Sequence, residues 1–143
     1  MGDLRVPRRE ARVELALRGS PPRQGVLFLS PDPEEDLSHF LEQAPAFFPF
    51  REDGQPTTLV ARDACLWLRA PLGADDALYE HALELAIELD DAEAVSGSFL
   101  YSAPQDHERL LDVLNEERRF LRLVGARTVC YVQKRHVTRV SAA

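Results

Sequence analysis

Lysine is almost absent from this chain: of its 17 Lys and Arg residues only Lys134 is a lysine, which reads as a coding bias toward arginine. Cysteine occurs twice, at Cys65 and Cys130, each inside an apolar run with no second cysteine nearby. That spacing argues against a disulfide or zinc framework and marks both thiols as small core residues. Long apolar runs are missing too. "GVLFLS" and "AFFPF" fall far short of the roughly 20 residues a membrane-spanning helix needs, so no membrane association is expected. The N-terminus "MGDLRVPRREARVELAL" has no apolar stretch before a small-residue cleavage site, which leaves a cytoplasmic protein as the expectation.

The signatures of common chemistries are absent as well. His39, His81, His107 and His136 show no HxxxH spacing, and the seven glycines form no GxGxxG, GxxxxGK[ST] or GxSxG pattern. Adjacent acids such as Glu34 with Glu35 sit in polar loops without an apolar pocket to raise a carboxyl pKa. The chain is therefore expected not to be an enzyme, and no cofactor or metal is expected. A formal net charge of −7 speaks against a general nucleic-acid binder, because phosphate binding needs a basic face. Charge is unevenly placed: no Lys or Arg lies between Arg69 and Arg109, whereas Arg118, Arg119, Arg122, Arg127, Lys134, Arg135 and Arg139 crowd the last third.

What the chain does have is an internal echo. "VELALRGSPPRQGVLFLSPDPEEDLSHFLEQAPAFFPF", from Val13, runs in parallel with "LAIELDDAEAVSGSFLYSAPQDHERLLDVLNEERRFLRL", from Leu85. Leu15 and Leu17 fall on Ile87 and Leu89, Gly25 falls on Gly97, and "LVARDACLWLRA" meets "YVQKRHVTRVSA". Val13, Leu15 and Leu17 alternate with polar or small residues, as do Leu85, Ile87 and Leu89, a period-two pattern for half-buried strands. Pro and acidic residues open "PDPEEDLSHFLEQAP" and "APQDHERLLDVLNEE", and Leu37, Phe40 and Leu41, like Leu110, Leu111 and Leu114, form a helical stripe. "EDGQP" supplies a hairpin turn.

These readings give an α+β, mainly β protein of two tandem ββαββ repeats, a layout that resembles the Sm-like small barrel. A unit of about 60 residues buries too little surface to stand alone, so the two are expected to pack as a pseudo-twofold intramolecular dimer. The expected boundaries are a basic N-terminal segment over 1–12, repeat 1 over 13–70, a linker over 71–82 with a helical turn as an option, and repeat 2 over 83–143.

Three resemblances follow from these stretches. The layout of "FLEQAPAFFPF" and "VLNEERRFLRL" before "LVARDACLWL" and "YVQKRHVTRV" resembles a group of uncharacterised bacterial domains, which implies no established activity. The strand logic is similar to the Sm-like fold, whose RNA-binding members carry a Lys-His entry to a late strand. That resemblance implies RNA contact by Lys134, Arg135 and His136, although Arg135 rather than His136 falls at the histidine position. Finally, Arg8 and Arg12 in an RxxxR spacing, with Asp36 and Ser38 in "DLS", resemble the cyclic di-GMP site of PilZ domains, with Leu41 where that family has glycine.

The reading favoured by the residues is an adaptor or regulatory subunit that binds a protein partner or forms a homodimer. An alternating strand cannot bury Phe47 and Phe48 on one face, and Cys65 and Trp67 lie opposite Leu66 and Leu68. Phe48 and Trp67 are the expected protein contacts, together with a strand edge.

Overall fold

The alternating segments do become strands. In a computed structural model that describes residues 8–73, 81–90, 92–101 and 106–142, the first half of the chain forms β1 (Arg9–Leu17), β2 (Arg23–Leu29), α1 (Leu37–Gln43), β3 (Phe47–Glu52), β4 (Thr57–Ala61) and β5 (Cys65–Pro71). The second half forms β6 (His81–Leu89), β7 (Ala92–Tyr101), α2 (Asp106–Asn115), β8 (Phe120–Val124), β9 (Thr128–Gln133) and β10 (Val137–Ala142). The protein is mainly β. All ten strands join one antiparallel sheet, in the order β10-β6-β7-β8-β9-β5-β1-β2-β3-β4.

β1 already begins at Arg9, so the basic segment expected over 1–12 is partly strand. The helical turn anticipated over 75–81 lies outside the described residues except at His81, which opens β6. Asp36 starts α1 by accepting the His39 N–H at 3.0 Å, the arrangement that a helix N-terminus favours. α1 then buries Leu41 and sets Phe40 edge-on to Phe48, with ring centroids 5.5 Å apart. Gly54, at φ +74°, turns the β3–β4 hairpin where "EDGQP" predicts it.

Two expectations need correction. "YVQKRHVTRV" and "LVARDACLWL" are not single strands. A 3₁₀ turn interrupts each, at Lys134–His136 and at Arg62–Ala64, so each half carries five strands rather than four. Nor do the halves meet about a pseudo-twofold axis, which would set like strands against each other. β5, the last strand of the first half, pairs with β9, the next-to-last of the second, with Trp67 opposite Val132 and Leu68 opposite Tyr131.

This junction explains the apolar runs "CLWL" in β5 and "VCYV" in β9: both faces of the sheet are covered there. Residues of β9 alternate between two cores. Val129 and Tyr131 join Val13, Leu15, Leu27, Phe48 and Leu68 on one face, while Cys130 and Val132 join Trp67, Leu85, Ile87 and Leu121 on the other. α1 packs on the first core through Leu37 and Phe40, and α2 on the second through Leu110, Val113 and Leu114.

Candidate functional site

The two residues expected to contact a partner are buried. Phe48 is 1% exposed in the first core, because its register partner in the hairpin is the inward-facing Val60. Trp67 is enclosed at the β5–β9 junction, and the Arg69 guanidinium lies 4.5 Å from its ring centroid, held also by Glu14 at 3.1 Å. Among the described residues the large aromatic that is exposed is the neighbour, Phe47, at 61%. It shares the outer face of the β3–β4 hairpin with Pro49 and with Leu59, which is 72% exposed, since Pro49 and Leu59 are register partners and Phe47 lies two residues from Pro49. Among the described residues β4 pairs only with β3, so this apolar face lies along the end of the sheet.

Lys134, Arg135 and His136 sit together on their 3₁₀ turn, but each is engaged inside the chain. The Lys134 ammonium donates to the Val113 carbonyl, and burial pulls its pKa below the ordinary lysine value, with Glu116 and Glu42 opposing the fall. Arg135 pairs with Asp63 at 2.9 Å across the junction. His136 is buried, its Nε2 donates to the Asp63 carbonyl at 2.6 Å, and its Nδ1 lies 3.5 Å from Arg18 Nη2. The Nε2–H tautomer serves both contacts. Hydrogen bonds from Arg62, and then from Arg135, hold the Asp63 carboxyl below its usual pKa.

Sequence reasoning missed Gln133 beside them. Fully buried at the end of β9, it donates through its side-chain amide to the carbonyls of Arg62 at 3.1 Å and Cys65 at 2.6 Å. It thereby fastens one 3₁₀ turn to the other. Only the polar residue among apolar neighbours in "CYVQKR" hinted at this.

The four residues of the cyclic-dinucleotide resemblance are not brought into one site. Arg12 donates to both carboxylate oxygens of Asp53, at 2.7 Å to Oδ1, and that hydrogen bond holds the Asp53 pKa low. Asp36 caps α1, Ser38 lies within the helix, and Arg8 is exposed before β1. The arginine that does organise this region is Arg9, which donates to the carbonyls of Ser30, Asp32 and Glu35, each at 2.8 Å, and so ties the loop before α1 to β1. The RxxxR spacing passes over it.

An open depression of about 530 Å³ lies beside Gly97, where β7 and β8 are in register only at Ser98 and Val124. Among the described residues its one carboxylate, Glu84, accepts a hydrogen bond from the Ser98 hydroxyl. Among the described residues no group of three or more His, Cys, Asp or Glu side chains could hold a metal ion, and no helix is long and apolar enough to cross a membrane.

Burial pushes the Cys65 thiol up to about 12 and the Cys130 thiol to about 11, the latter in spite of Arg69. Both cysteines should therefore resist an alkylating or disulfide reagent at neutral pH in the folded protein and react at once in denaturant. Titration with a chromogenic disulfide, with and without guanidinium, checks this; rapid reaction of the native chain would contradict the packing. No family model, curated protein or solved structure matches this chain.

Proposed function

We propose that the protein is a non-enzymatic protein–protein interaction module, an adaptor or regulatory subunit of the cytoplasm, built from two tandem units that extend a ββαββ plan by one strand and are of small-barrel, Sm-like type. The tandem reading draws support from the strand order of the two halves. Residues 9–71 run β5-β1-β2-β3-β4 and residues 81–142 run β10-β6-β7-β8-β9, each with a helix after its second strand and a 3₁₀ turn before its last.

The observation that carries the function is the β4 edge, unpaired among the described residues, beneath exposed Phe47 and Leu59. Proteins usually guard such an edge with charge, proline or a bulge, yet β4 reads "TTLVA" with no charged residue. An edge left open and apolar suits strand addition or an apolar docking face. The cations expected to bind RNA are taken up by Val113 and Asp63, and those expected to bind a cyclic dinucleotide are dispersed, so neither alternative gathers a site from these contacts.

Capture from nuclease-treated native lysate tests the reading. A protein other than the bait should be retained by the wild type and by Leu111→Ser, which alters an exposed leucine on α2, and lost from the Phe47→Ser, Leu59→Ser double variant. Recovery that depends on RNA, or that is indifferent to the double variant, would sink the proposal.

A further inference from the structure

The outer face of β4 has a counterpart within the same molecule. Counting back from each 3₁₀ turn, Leu59 occupies the place in β4 that Tyr131 occupies in β9. Register across the two hairpins, Phe48 with Val60 and Leu121 with Val132, then sets Phe47 in the place of Phe120. At the internal junction Tyr131 and Phe120 are 8% and 7% exposed, because β5 and the first core lie against them. At the open edge Leu59 and Phe47 are 72% and 61% exposed.

The strand that could cover them also has a counterpart. β10 follows its turn as β5 follows its own, and among the described residues it pairs only with β6. Fourth after the turn is Leu68 in β5 and Val140 in β10. Where β5 is buried along nearly its whole length, β10 is half-buried or exposed. The sheet thus ends in the two halves of a junction it has already made once.

We propose that the missing partner is a second copy of this chain, joined head to tail, with β10 of one copy pairing with β4 of the next in the register of β5 with β9. This rests on the interaction reading above and names its partner. Val140 would lie opposite Leu59, as Leu68 lies opposite Tyr131. Such a junction is heterologous, so each added copy leaves one open edge of each kind until a ring closes.

Sedimentation velocity on purified protein decides the matter. Wild type should sediment as an assembly of several chains. Leu59→Arg, which blocks β4, and Val140→Arg, which blocks β10, should each sediment as a single chain. An equimolar mixture of the two should give a one-to-one pair of twice the chain mass, since each variant keeps one working edge of opposite kind. Val140 also packs on the second core, so if Val140→Arg melts early, Ala142→Arg, at an exposed position on the same face, replaces it.

A wild type that remains a single chain up to high micromolar concentration overturns the proposal, as does association that survives Leu59→Arg or a mixture that stays monomeric. Should a lysate protein still require Phe47 and Leu59 while the purified chain is monomeric, the interaction reading stands and the self-assembly falls.

Discussion

Leu68→Ala should destabilise the protein by about 3–5 kcal/mol, near the upper end for truncating a fully buried leucine. Leu68 is 0% exposed, packs in the first core and lies opposite Tyr131 on the strand that joins the halves. The cavity left behind is walled by the two central strands, which cannot relax without disturbing the junction register. The loss should also be felt in both halves. Cys65 reports the first core and Cys130 the second, and in guanidinium titrations their reactivities should appear at one shared midpoint, lowered together by the substitution. Two separate midpoints, with only that of Cys65 moved, would show that the halves unfold as independent units.

Gly25→Ala is expected to cost about 3 kcal/mol, at the top of the usual range for overpacking. A Cβ at Gly25 would stand 2.3 Å from the Arg51 carbonyl oxygen and 2.6 Å from the tip of the Phe50 ring. The first obstacle is backbone, so no side-chain rotation relieves it. Strand β2 pairs with β3 only over Gly25, Val26 and Leu27, opposite Glu52, Arg51 and Phe50, and separating the strands would break that short ladder. Gly97→Ala provides the comparison. There the nearest obstacle is the Leu123 Cβ at 2.9 Å, with the Val124 carbonyl farther off at 3.5 Å, and the expected loss is smaller. Equilibrium denaturation should rank Gly25→Ala below Gly97→Ala, and Gly97→Ala below wild type; equal stabilities would mean that β2 and β3 part without cost.

The strands were legible wherever one face is wet. Val13 and Leu15 in β1, and Leu85, Ile87 and Leu89 in β6, alternate with neighbours that face solvent or lie half-buried, apart from the buried Ala16. The 3₁₀ turns were not legible, because "KRH" and "RDA" contain neither glycine nor proline to mark a break, and their conformation depends on contacts made across the junction by Gln133, Arg135 and Asp63. The β5–β9 pairing was hidden for a related reason. A strand buried on both faces has no pattern to say which neighbour it takes, and the pairing joins residues some sixty positions apart. The choice between Phe47 and Phe48 turned on register with β4, which local sequence does not carry. The RxxxR spacing pointed to Arg8 and Arg12, whereas the loop before α1 is anchored by Arg9, which no motif marks.

Sharing residues between the cores also bears on synthesis at the ribosome. All of the first half has been made once Pro71 is added, yet its core takes Phe120, Val129 and Tyr131 from strands that come much later. At about 5–20 residues per second, the nascent chain carries Leu68 and its neighbours uncovered for several seconds before Tyr131 is added. Throughout that interval the emerging polypeptide presents a greasy, strand-forming segment of the kind that holdase chaperones bind, and faster elongation would shorten its need for them.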